Sequence, residues 1–101
     1  PALEVARVAQ RTDLAGVYEA GGDVHVRFHV GTTTPRLFLG VYDVRGRLLR
    51  VLSDAPRDTG EHLLVWNERD ASGAAVARGI YVVALRSVDA NATRKVALLG
   101  R

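Results

Sequence analysis

Apolar and polar residues alternate along this chain in short blocks, and turn residues divide the blocks. The cleanest block is 24–30. Val24, Val26, Phe28 and Val30 fall on one side, with His25, Arg27 and His29 on the other. A period of two predicts a half-buried strand. Leu37, Leu39 and Val41 repeat the pattern in a strand over 36–44. Val44-Arg45-Gly46-Arg47 then reads as a tight hairpin, with Gly46 supplying positive φ. The return strand covers 47–52, and 53–60 reads as a polar loop around Pro56. Leu64 and Trp66 face inward from a strand over 61–66. The stretch 67–78 is a longer connection that turns at Asp70-Ala71-Ser72-Gly73. Tyr81, Val83 and Leu85 point inward from 79–88, and Val96 and Leu98 from a closing strand over 93–99. Near the N-terminus, 3–9 reads as a first strand, and 12–20 leaves open a short one around Val17 and Tyr18.

That makes about seven strands, or eight if Val17 pairs. Short strands at regular spacing indicate an all-β fold, an antiparallel sandwich or barrel. No amphipathic helix, repeat, linker or low-complexity stretch interrupts the pattern. An inward tryptophan among closely spaced hairpins favours an immunoglobulin-like β-sandwich. Residues 1–101 read as one domain, with 24–101 as its main body and 1–20 as an extra N-terminal edge strand. Tyr81, near the start of a late strand, is placed to bond back to the main chain as a tyrosine corner.

Composition narrows the chemistry. The chain has 101 residues, 48% apolar and 25% charged, which is ordinary for a soluble domain able to bury its own core. Valine leads the apolar set, and its branched side chain suits a pleated surface. There is no cysteine, so no disulfide framework and no thiolate metal site. No apolar run approaches the roughly 18–20 residues of a membrane span, and no signal peptide is visible. Pro1 at the start and the lack of methionine read as a mature product or an excised module. The net charge of +3 comes from 13 Arg and one Lys, interspersed with acids. Arg45, Arg47 and Arg50 form the densest group, around one turn. No recognition motif or aromatic platform accompanies them, so no nucleic-acid partner is expected.

One stretch carries a resemblance. Val41-Tyr42-Asp43-Val44-Arg45-Gly46-Arg47-Leu48-Leu49-Arg50 is followed by Gly60-Glu61-His62 and by Val65-Trp66-Asn67 with Arg69-Asp70 and Gly73. Val76, Gly79-Ile80-Tyr81 and Thr93-Arg94-Lys95-Val96 with Leu98-Leu99 complete the order. This text resembles the FlgD-like immunoglobulin domain, named for the flagellar hook-capping protein. It is also similar to the C-terminal sorting domains of the type IX (Por) secretion pathway. Each motif is weak alone; their order and spacing together are specific. The family usually has Asp-Gly after the tryptophan, where this chain has Asn67-Glu68.

The resemblance implies a non-catalytic C-terminal module of a larger secreted bacterial protein, an extracellular hydrolase among the parents it allows. It would act in secretion sorting and cell-surface attachment by docking on secretion or anchoring proteins, beside a neighbouring domain of its parent. It would sit outside the cell, with no cofactor and no direct membrane insertion. The closing strand belongs to the recognised signal in such domains, so Lys95, Ala97 and Leu99 would be the residues read. The alternatives are a carbohydrate-binding module and a structural or spacer module such as a hook-capping domain.

Other candidate sites are weaker. His25 and His29 lie four apart on one strand face, about 13 Å at ~3.3 Å per residue, too far to share an ion. Asn67, Glu68, Asp70 and Ser72 make an oxygen-rich loop of the kind calcium takes, but the full EF-hand spacing is missing and an Asx turn with charged solvation is the better reading. Ser53, Ser72 and Ser87 lack the Gly-x-Ser-x-Gly elbow of a nucleophile, so no catalytic residue is expected. Phe38 and Tyr42 fall on an outward face, as do Ile80, Val82 and Ala84. Either residues 1–20 cover them, or they form an apolar patch for a partner.

Overall fold

In a computed structural model, which describes residues 11–99, seven strands form two antiparallel sheets. They are β1 (Asp13–Ala20), β2 (Asp23–Val30), β3 (Thr34–Asp43), β4 (Leu48–Arg57), β5 (Gly60–Trp66), β6 (Gly79–Arg86) and β7 (Asn91–Leu98). One sheet runs β1-β2-β5 and the other β4-β3-β6-β7. The chain changes sheet between β2 and β3, between β4 and β5, and between β5 and β6. This is an immunoglobulin-like β-sandwich.

Local chemistry sets the hairpins. Gly21 and Gly22 have φ of 64° and 85°, as a two-residue turn between right-twisted strands requires. After β3, Gly46 at φ 85° closes a three-residue loop, and its N–H donates to the Asp43 carbonyl at 3.0 Å. The Asp43 carboxylate accepts from the N–H groups of Arg45 and Arg47, each at 2.9 Å, and from Arg47 Nε at 2.8 Å. One short side chain thus fixes the whole turn.

The alternation places the core. Val24, Val26, Phe28 and Val30 of β2 face Leu37, Leu39 and Val41 of β3 and Val83 and Leu85 of β6, all fully buried. Val96 and Leu98 close one side, and Leu14 joins from β1. Leu64 is half-buried and packs on this cluster. Trp66 meets Tyr81 edge-on, with ring centroids 5.8 Å apart at 66°, the geometry that aromatic quadrupoles favour. Its indole N–H donates to the Arg69 carbonyl at 2.8 Å. The Tyr81 hydroxyl donates to the carbonyl of Ala77, four residues upstream, forming the corner bond.

Several boundaries differ from expectation. The stretch 53–60, expected as a loop, is strand as far as Arg57. Ser53 is buried there and donates to the Leu37 carbonyl at 3.2 Å. Pro56 is tolerated because β4 is an edge strand, where a missing N–H breaks no ladder. β3 likewise begins at Thr34, through Pro35, rather than at residue 36. The N-terminal ambiguity resolves as the eight-residue β1, the edge of the three-stranded sheet. The strand expected over 3–9 lies outside the described residues.

Candidate functional site

The outer face of the four-stranded sheet brings together Phe38 and Tyr42 from β3, Val82 and Arg86 from β6, and Leu48 from β4. Phe38 pairs with Arg86, Gly40 with Ala84 and Tyr42 with Val82. Gly40 explains the surface. A Cβ there would lie 2.6 Å from Phe38 Cζ and 3.0 Å from Leu48 Cδ1, so the ring occupies the space a side chain would take. The Arg86 guanidinium stands 5.8 Å from the centre of the same ring, a cation–π arrangement. Arg36 forms a two-bond ion pair with Asp54 alongside. Two shallow depressions of about 400 and 340 Å³ flank Tyr42.

Phe38, Tyr42 and Val82 are half-buried here, and Ile80 is exposed. Residues 11–20 do not cover this face, because β1 belongs to the opposite sheet. Among the described residues the Phe38 ring lies over Gly40, and residues 1–10 of the expected cover lie outside the described residues. Sequence reasoning missed Gly40, Leu48 and Arg86 as parts of this surface. The available signal was a glycine in mid-strand between two aromatic residues.

β7 divides by face. Val96 and Leu98 are buried, while Lys95 and Ala97 are exposed. Leu99 follows the strand and is 75% exposed. Eight consecutive residues of β7 pair with β6 without a register shift. Arg94 Nη2 reaches across the sandwich to the Leu14 carbonyl at 2.9 Å.

The 67–78 connection is held by its own polar groups. Asp70 Oδ1 accepts from the N–H groups of Ser72 and Ala74, at 2.9 and 3.1 Å, and from the Ser72 hydroxyl at 2.6 Å. Asn67 Oδ1 accepts from the Arg69 N–H at 3.2 Å. Glu68, rather than Asn67, adopts the left-handed conformation, with φ 61° and its side chain buried. It therefore stands where the family pattern has glycine, at a conformation uncommon for a residue with a Cβ. Among the described residues, no three His, Asp or Glu side chains converge as metal ligands do.

The histidines serve separate contacts. His29 pairs with Glu61 on the outer face of the three-stranded sheet, and His25 stacks on Tyr18 at 5.2 Å. His62 stacks on Phe28 at 5.2 Å, and the Arg57 guanidinium stands 5.8 Å from the same ring. No serine among the described residues hydrogen-bonds a histidine; Ser72 and Ser87 instead serve Asp70 and Asp89.

Hydrogen bonds hold four carboxyls below the ordinary range: Asp43 chiefly by the Arg47 N–H, Asp54 by the Arg36 side chain, Asp70 by the Ser72 hydroxyl, and Asp89, against its burial, by the Ser87 and Thr12 hydroxyls. A folded-state pKa below the unfolded value adds stability above the ordinary carboxyl pKa of about 3.9, and that stability is lost as pH falls through the depressed values. The urea midpoint is therefore expected to hold from neutral pH to about 5 and to fall below about 4. In Asp43→Asn/Asp70→Asn the acid limb should be shallower. A midpoint equally steep in that variant would show that these two groups do not set the acid limb.

Two solved structures share the architecture. FlgD from P. aeruginosa superimposes with a TM-score of 0.63 at 16% identity, over 83% of this chain and 66% of that one. The chain has an FlgD-like fold. PorZ, an essential bacterial surface component of the type IX secretion system of Porphyromonas gingivalis, superimposes with a TM-score of 0.56 at 22% identity. That match spans 88% of this chain and 11% of PorZ. No family model and no curated protein matches the sequence. No helix among the described residues is long and apolar enough to cross a membrane.

Proposed function

We propose that this FlgD-like domain is a non-catalytic docking module of a larger secreted bacterial protein, acting in secretion sorting and cell-surface attachment. The observation that carries the reading is the division of β7. Val96 and Leu98 hold the sandwich, while Lys95, Ala97 and Leu99 stand outside it, open to a second protein. A recognised strand needs that separation, because its readable side chains must not also be core. The likeness to PorZ, a type IX surface component, supports the same reading. Val82 lies beside Lys95 and Ile80 beside Ala97 on the same outer face, so Phe38, Tyr42, Ile80 and Val82 extend the contact surface of the proposal across the sheet.

The test keeps the fold intact. A reporter fused to this domain in a type IX-competent host should be exported, and Lys95→Glu/Leu99→Ser should lower export by about tenfold, the effect of a ~1.4 kcal/mol loss in docking. The melting midpoint of that variant should stay unchanged. Export at the original level would sink the sorting reading. A second reading, a structural module of a hook-capping scaffold, draws on the FlgD match over 66% of that chain. It predicts that the same variant leaves export intact and changes assembly of the parent protein.

A further inference from the structure

Among the described residues, four strands form the edges of the two sheets, and three of them are blunted. β4 carries Pro56 and three register shifts against β3, and the 67–78 connection bonds onto it through Ala71 N–H to the Leu49 carbonyl at 2.9 Å. β1 has a register shift between Leu14 and Gly16, and Arg94 caps its Leu14 carbonyl. β7 presents the adjacent charges Arg94 and Lys95. Bulges, prolines and charges of this kind protect an edge from pairing with another chain.

β5 has none of these devices. Seven consecutive residues, Gly60 to Trp66, pair with β2 without a shift, and Glu61 is the single charged residue among them. Glu61 is already paired to His29. On the outer face Leu63 is 55% exposed and Val65 47%. Tyr18 and His25 continue the row from Val65 across the sheet.

The strand is also complementary to itself. Antiparallel pairing with a second β5, Leu64 opposite Leu64, sets Leu63 of each copy against Val65 of the other. Glu61 then meets Asn67, so no like charges oppose. A two-fold contact needs such self-complementarity, because the same patch serves both sides. It would join two three-stranded sheets into one of six strands.

We propose that β5 is a homotypic docking edge, pairing antiparallel with β5 of a second copy in this register. The contact lies in the sheet opposite β7 and does not depend on the sorting reading. One strand edge is smaller than the roughly 800 Å² per partner of a stable interface, so the dimer is weak and concentration-dependent.

Sedimentation of the 101-residue chain tests it. The weight-average mass should rise from monomer toward dimer between about 10 µM and 1 mM. Leu63→Lys/Val65→Lys sets lysine against lysine and should leave monomer throughout. Leu63→Lys/Val65→Glu sets lysine against glutamate and should restore the dimer. Leu63→Thr/Val65→Thr, which suits a strand, should weaken it at least about tenfold through lost apolar cross-strand contact. Both positions are exposed, so the melting midpoints should match the parent chain. A parent chain that stays monomeric at the highest concentration overturns the proposal. So does a dimer that survives the double lysine, or one that the lysine–glutamate pair fails to restore.

Discussion

Trp66→Ala is expected to cost about 3–5 kcal/mol, the range for deleting a large aromatic from a packed core. The total stability of a domain this size is about 5–15 kcal/mol, so the variant should be close to unfolding. Trp66 sits at the end of β5 with 1% of its surface exposed. It touches Tyr81 edge-on and anchors the 67–78 connection through the Arg69 carbonyl. Truncation removes the packing and the anchor together. At a urea slope of ~2 kcal/mol per molar, the midpoint should fall by about 2 M. Trp66→Phe keeps an aromatic ring and loses only the indole donor and some volume, so its loss should be clearly smaller. Equal midpoints for the two variants would show that the ring is not what matters.

Deleting 95–101 should be comparably damaging. The deletion takes Val96 and Leu98 from the core, at about 1.5–3 kcal/mol for each buried side chain, so ~3–6 kcal/mol together. It also strips the β6 residues Gly79, Ile80, Tyr81 and Val82 of their β7 partners. A urea titration of the truncated chain should show a midpoint shift comparable with Trp66→Ala. The consequence for function is direct. Lost export after this deletion would report unfolding as readily as lost recognition. The Lys95→Glu/Leu99→Ser variant avoids that confusion, because both side chains stand outside the sandwich. A truncated chain with the parent midpoint would show that β7 adds nothing to the core.

Legibility followed burial. β2 alternates strictly, because one of its faces is dry and the other wet, and its four apolar residues are all in the core. β3, β6 and β7 read equally well in their inward residues. β4 did not. Its far half places Asp54 and Pro56 at the exposed edge, which tolerates proline, and buries Ser53 with its hydroxyl bonded to the Leu37 carbonyl. Gly40 showed only as a mid-strand glycine between two aromatic residues, and its role came from the Phe38 ring lying over it. Glu68 taking a left-handed turn was likewise hidden, since propensity favours Asn67 for that conformation.

The candidate surfaces were legible in part. The outward positions of β7 follow from period two once its inward ones are known. The fate of the Phe38 and Tyr42 face did not follow, because it depended on which sheet β1 joined. β1 joined β2 through the two-glycine turn, which puts residues 13–20 in the opposite sheet.

The chain's own pattern determined that it is an all-β sandwich, which residues form its core, and where its tight turns fall. Those properties are local: side-chain period, turn chemistry and apolar volume act over a few residues. Strand order, the four sheet edges and their different protection were decided by tertiary structure alone. Edges arise from pairings between residues far apart in sequence, and a strand's own residues do not record which neighbour it lacks. The unblunted edge of β5 is therefore a property of the assembled fold, although every residue on it was readable from the start.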